Sequence, residues 1–205
     1  MPAFEYVGGS PALDFVNTVT WFEDGSADPQ EESVFAFEDI IRWAELGELV
    51  TKGEARAMRR LAKDDPRRAE QELAAALNLR RTLRDLFSVV AGGKKPDTSL
   101  LNAFNRAVCS GMRSVELAPG PAGTFTWRFG DCREDLGTIY RLVAWEAAQL
   151  ATSDRLAALR QCGRDGCGWI FLDESRRHNR RWCSMETCGA REKAKRHYRK
   201  VKGGR

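Results

Sequence analysis

Four of the six cysteines stand in a C-x4-C-x15-C-x4-C pattern: Cys162, Cys167, Cys183 and Cys188. Zinc favours four thiolates in a tetrahedron, and two short-spaced pairs at the ends of a ribbon supply that closed shell. Gly163, Gly166, Gly168 and Gly189 lie within or beside the pairs and permit the tight turns that aim both sulfurs at one ion. The pattern predicts one structural Zn²⁺ per chain. A pair of disulfides would suit a secreted domain, but the opening MPAFEYVGGSPALDF lacks the basic start and apolar run of a signal peptide. The expectation is a cytoplasmic protein, where thiols stay reduced and close-set cysteines bind metal. A catalytic zinc would keep an open position and enlist His or carboxylate ligands. The two histidines, His178 and His197, stand in no such motif. Cys109 and Cys132 stand alone and read as small buried hydrophobes.

The positive charge collects around the same cysteines. From Arg155 onward there are 15 Lys+Arg against 5 Asp+Glu, a balance of +10; residues 1–154 hold 18 against 24, a balance of −6. A zinc ion with four thiolates carries −2, so two cations would neutralise it. The excess points instead to nucleic acid. SRRHNRR places Arg176, Arg177, Arg180 and Arg181 in the turn between two expected antiparallel strands, WIFLD and RRWCS. Trp169, Phe171 and Trp182 are candidates to shield the metal. GAREKAKRHYRKVK reads as a helix with Ala190, Ala194, Tyr198 and Val201 on one narrow apolar stripe, expected to pack against the ribbon. Arg191, Lys195 and Arg199 flank it on one side, and Lys193, Arg196 and Lys200 on the other. These cations suit phosphates, with Arg191 the first candidate for a base edge. A module this small buries too little surface to fold alone, so metal binding contributes its folding energy.

The elements upstream are mostly helical. Apolar residues recur at helical offsets from Phe37, with Gly47 as a stop. Thr51 and Glu54 form a capping box opening a helix to about Ala62. Pro66 starts the longest helix, through about Val90, and Asp97 or Thr98 caps SLLNAFNRAVC. RSVELAPGPAGTFTWRF reads as a hairpin, and a last long helix runs from about Glu134 to Leu150. Asp154 is a candidate cap for a short helix leading to the first cysteine pair. The expected fold class is therefore α+β. A predominantly helical N-terminal domain with a small β-hairpin (residues 1–153) precedes a zinc-ribbon-like module with a basic C-terminal helix (residues 158–203). No stretch reaches the roughly 18 apolar residues of a membrane span.

Within GGSPALDFVNTV, Asp14, Asn17 and Thr18 interrupt an apolar run and need hydrogen-bond partners if buried. They either bond locally to backbone or, for Asp14 and Asn17, form the polar floor of a small-molecule pocket walled by Trp21, Trp43, Trp127 and Trp145. No phosphate-cradling glycine loop and no Gly-x-Ser-x-Gly elbow is present, and residues 1–154 hold no histidine, so no enzyme mechanism suggests itself.

CGRDGCGWIFLDESRRHNRRWCSMETCGAREKAKRHYRK resembles the CGNR zinc finger of bacterial proteins in its paired cysteines, its F-x-D-x-S-R, its RRWCSM-x-x-CG and its following R-x-K-x-x-x-Y/H-R. GGSPALDFVNTV and the helical stretch after it resemble the ABATE domain that precedes that finger. The resemblance implies a stress-induced transcriptional regulator with Cys162, Cys167, Cys183 and Cys188 as zinc ligands. The signature reads Cys188-Gly189-Ala190-Arg191 here, with alanine in the place of asparagine. The ligands are untouched, but any contact made by that Asn is lost. The expectation is a zinc-dependent DNA-binding regulator whose body senses an effector or pairs as a homodimer. The alternative is a zinc-stabilised adaptor for protein or RNA.

Overall fold

The computed structural model describes residues 4–22, 25–113, 115–131 and 134–203. Four helices open the chain: α1 (Pro11–Val16), α2 (Phe37–Leu46), α3 (Lys52–Asp64) and α4 (Pro66–Ala91). Then come α5 (Thr98–Met112), the antiparallel hairpin β1 (Glu116–Pro119) and β2 (Phe125–Arg128), and α6 (Thr138–Ala151). Among the described residues, no helix is long and apolar enough to cross a membrane. The fold is helical with small antiparallel strand pairs, in the α+β class.

Local chemistry sets the helix ends. Thr51 Oγ1 accepts the Glu54 N–H at 3.2 Å, and Glu54 Oε2 accepts the Thr51 N–H at 2.7 Å, a reciprocal capping box. Asp65 caps α4 just before Pro66, and Asp97 caps α5 through the Leu100 N–H at 2.8 Å. The expected start of α6 near Glu134 shifts to Thr138. Asp135 is held in the turn before it by the Gly137 N–H at 2.8 Å and by Arg141 Nη2 at 2.7 Å. Cys109, expected inside, is exposed on α5, while Cys132 lies outside the described residues.

The short helix α1 sits at the centre, packed on α4 and α6, with Leu13, Phe15 and Val16 fully buried among Trp43, Leu79, Leu83, Phe87 and Val143. Burial of this many large side chains, at about 1.5–3 kcal/mol each, drives the fold. The β1–β2 hairpin stays outside that core. Leu117, Phe125 and Trp127 remain exposed there, the last packed on Trp145 with ring centroids 5.2 Å apart.

After α6, a short 3₁₀ turn (Asp154–Ala158) leads into β3 (Leu159–Gln161), which pairs antiparallel with β4 (Ile170–Leu172). Ser153, not Asp154, precedes that turn as its cap position. The pairing differs from the expected one. WIFLD finds its partner before the first cysteine pair rather than in RRWCS. Both edges of WIFLD are taken: β3 pairs along one, and along the other Asn17 bonds both polar groups of Ile170 and the Gly8 carbonyl accepts the Leu172 N–H. The Arg180 guanidinium meanwhile donates to the carbonyls of Trp182 (3.0 Å) and Cys183. Residues 181–184 instead lead into a π-helical turn (Met185–Gly189) and then α7 (Ala190–Gly203).

Leu159, Ile170 and Leu172 belong to the same hydrophobic core as α1 and α4, so the cysteine-bearing hairpin is seated on the helical body. The apolar stripe of α7 is not. Ala190 and Ala194 are exposed and Tyr198 is 59% exposed, because Phe171, Trp169 and Trp182 already cover the cysteines and leave the helix packed on the preceding turn.

Candidate metal centre and basic face

Two folded-back loops bring the cysteines together. Cys162 N–H donates to the Trp169 carbonyl at 2.8 Å, closing the loop that carries Cys162 and Cys167. Gly166 (φ +69°) and Gly168 (φ +68°) make its left-handed turns. Ser184 Oγ accepts the Thr187 N–H at 3.2 Å and its carbonyl accepts the Gly189 N–H at 2.9 Å, shaping the turn that carries Cys188. The loops are tied directly by the Gly163 N–H to the Arg181 carbonyl at 2.8 Å.

All four cysteines are buried, with sulfurs within 4.8 Å of one another. Cys167 and Cys183 stand 3.8 Å apart, Cys183 and Cys188 3.4 Å, and Cys188 and Cys167 3.7 Å. Disulfides need about 2.05 Å. A zinc tetrahedron with bonds of about 2.3 Å has edges of about 3.8 Å. The donor set therefore fits one structural Zn²⁺, with Phe171, Trp169 and Trp182 packed against the cysteines. Hydrogen bonds from Cys167 and Cys183 hold the Cys162 thiol down to about 2, and that same group pushes Cys167 up to about 12 and Cys183 higher still. Thiolates gathered this closely repel one another unless a cation compensates them.

One arginine serves this centre. Arg164 Nε donates to Cys188 Sγ at 3.1 Å; burial opposes its charge, but this bond and the sulfurs outweigh it and raise its pKa further. A second supports the turn: Arg180 stacks over Phe171 at 4.3 Å and also donates to Val7 O at 3.0 Å. Its backbone N–H reaches Asp173 Oδ2 at 2.9 Å, while Asp173 Oδ1 takes the Ser175 hydroxyl at 2.5 Å and N–H at 3.1 Å. The Ser175 hydroxyl is the main cause of the lowered Asp173 pKa. Asp173 and Arg164 are site residues that spacing did not single out. The Asp-x-Ser turn signal at 173–175 was the available clue for the first.

Arg176, Arg177, Arg181, Arg191, Lys193, Lys195, Arg196 and Arg199 are all exposed. Arg181 and Arg196 both approach the Trp182 ring, at 5.6 and 5.9 Å from its centroid, which brings the turn and α7 side by side. Lys195 pairs with Asp165 at 2.9 Å, fastening α7 to the first cysteine loop. Arg191 borders a small cavity of about 90 Å³ with Arg164, Glu5 and Glu31, at the seam between finger and body. Lys200 lies in α7 with its side chain outside the described residues.

Asp14 and Asn17 have backbone partners where the sequence also allowed a ligand. Asp14 Oδ1 accepts the Gly8 N–H at 2.7 Å, and burial pushes its carboxyl up to about 6. Asn17 is bonded twice to Ile170, and Thr18 bonds locally to the Phe15 carbonyl at 2.8 Å. Trp43 packs on Phe15 and Trp21 lies against Arg80 and Arg84, so these tryptophans are core.

Residues 9–154 match the ABATE family, described as "Putative stress-induced transcription regulator", and residues 158–201 match the CGNR zinc finger. These are regulator and zinc-finger families rather than enzyme families. A search of the curated proteins gives no match. The chain belongs to the ABATE family and carries a CGNR zinc finger whose four cysteines form a site for one structural zinc ion.

Proposed function

We propose that this protein is a cytoplasmic, non-enzymatic transcriptional regulator that binds DNA through its zinc-held finger and acts in a stress response. The observation that carries the reading is the meeting of Arg181 and Arg196 at Trp182, which joins the cations of the turn and of α7 into one surface. Arg176, Arg177, Arg181, Lys193, Arg196, Arg199 and Lys200 hold phosphates, and Arg191 is the candidate for a base edge. Arg180 and Lys195 contribute by holding the turn and α7 in place. Residues 1–154, with a balance of −6, turn DNA away and take the regulatory input. We assign that input to a small-molecule effector, pairing with a second copy, or both. An open cleft of about 610 Å³ beside Leu46, Leu49 and Val50, rimmed by charged residues such as Arg42, Glu45 and Lys52, is of ligand size, and the exposed Leu117, Phe125 and Trp127 favour pairing.

Fluorescence anisotropy of labelled duplex DNA tests the reading. Between about 50 and 200 mM salt, log affinity falls against log salt with a slope of about −4.5 to −6.3, as expected for roughly five to seven phosphate contacts. Stronger competition by single-stranded RNA than by DNA, or a flat salt dependence, replaces it with an RNA- or protein-docking adaptor.

A further inference from the structure

Within the buried motif ALDFVNTV, Asp14 and Thr18 bond inside the body, but Asn17 and the Val19 carbonyl reach the finger. Asn17 Nδ2 donates to the Ile170 carbonyl at 2.8 Å, and the Ile170 N–H donates to Asn17 Oδ1 at 3.0 Å. Both groups are buried. A side-chain amide here completes a strand edge as another peptide would, and satisfies both polar groups of one residue on β4. Immediately downstream, Trp169 Nε1 donates to the Val19 carbonyl at 3.0 Å, and the Trp21 N–H donates to the carbonyl of the ligand Cys167 at 3.4 Å. The Leu172 N–H reaches the Gly8 carbonyl at 2.9 Å, and Arg180 reaches Val7. Contact at the loop is close enough that a Cβ on Gly168 would stand 2.3 Å from the Trp21 carbonyl oxygen.

All of these bonds but one act on the hairpin of Cys162 and Cys167, whose loop is closed by Trp169 and followed by β4; the Arg180 bond to Val7 bears on the turn before Cys183. We propose that residues 7–21 are the outer shell of the metal centre, with Asn17 as its principal positioning residue. Zinc affinity then depends on an asparagine that touches no metal, and the order of α1 depends on zinc. Because α1 is also the middle of the body's core, metal loss is felt in the regulatory domain as well as in the finger. This inference goes beyond the DNA-binding reading and stands whether or not DNA is the partner.

The test uses the full chain. Zinc affinity is measured by competition with a chromophoric chelator for the unmodified protein, Asn17→Ala and Trp169→Phe. Losing an outer-shell partner costs roughly 10- to 100-fold in metal affinity, the range expected for Asn17→Ala, with a smaller loss for Trp169→Phe. In parallel, amide hydrogen exchange of the unmodified chain is followed with and without chelator. Chelation accelerates exchange at Asp14, Asn17 and Trp21 more than at Ala55 of α3, which packs chiefly on α2 and α4. Acceleration throughout the body supports the same coupling in a stronger form. Zinc affinity unchanged in a folded Asn17→Ala chain overturns the proposal. So does exchange in α1 that ignores chelation, and this second readout decides the matter even if the variant fails to fold.

Discussion

Asn17 and Ile170 stand 153 positions apart and exchange two hydrogen bonds, each making the other's buried polar groups complete. The pair fixes the cysteine-bearing hairpin on the helical body at one register. It also satisfies the polar residue that ends the six-residue apolar helix α1, while Asp14 in its middle takes the Gly8 N–H. Such groups, buried without partners, would each cost about 1–3 kcal/mol.

Loss of one ligand removes the closed shell. Cys183→Ser leaves three thiols and one hydroxyl around a site built for four thiolates. The expected result is a zinc content near zero after dialysis and a finger that no longer holds its fold, because the metal supplies on the order of 10 kcal/mol to such modules. Metal analysis and near-ultraviolet dichroism of Trp169 and Trp182 check it. Retention of zinc and of DNA affinity together would contradict the assignment.

Neighbouring arginines of the same run should separate by role. Arg180→Ala strands the carbonyls of Val7, Trp182 and Cys183 and removes the stack on Phe171. It should lower stability by about 3 kcal/mol, read as a drop in thermal midpoint. Arg177→Ala, at an exposed position, should leave that midpoint within a degree or two and weaken DNA binding alike across sequences. Equal thermal effects from both would contradict the placement of Arg180.

Asp14 makes the body's stability depend on pH. Its folded carboxyl titrates near 6, raised by burial and only partly relieved by the Gly8 and Val7 N–H groups, against about 3.9 when unfolded. The folded chain thus binds more protons in between. The stability contributed by neutral Asp14 is full below about pH 4 and is lost as pH rises through about 6. Asp14→Asn removes that slope. Denaturant unfolding of both proteins at about pH 5 and pH 7.5 should show the difference between them moving in favour of Asn by about 1–2 kcal/mol at the higher pH. Zinc effects common to both cancel in this comparison. A difference that does not change with pH would contradict it.

The metal centre was legible in the sequence because its constraint is local. Each cysteine pair closes its own short loop, and glycine at 166 and 168 marks where the backbone must turn left-handed. Helix starts at Thr51, Pro66 and Asp97 were legible for the same reason. The partner of WIFLD was not. Strand pairing is decided by which edge is free, and the second edge of β4 is taken by Gly8 and Asn17, more than 150 positions away in the chain. Nor could the spacing of SRRHNRR separate Arg180, turned inward, from Arg177, left outside. The role of Asn17 was hidden because its partner is backbone, which carries no side-chain signature, and lies on a distant strand.

The most direct test of the account measures zinc content and duplex-DNA affinity on one purified sample, before and after chelation. The account predicts one zinc per chain, DNA binding that vanishes when the zinc is removed, and binding that returns when it is restored. One zinc per chain with no DNA affinity, or DNA affinity that survives full removal of the metal, would contradict it.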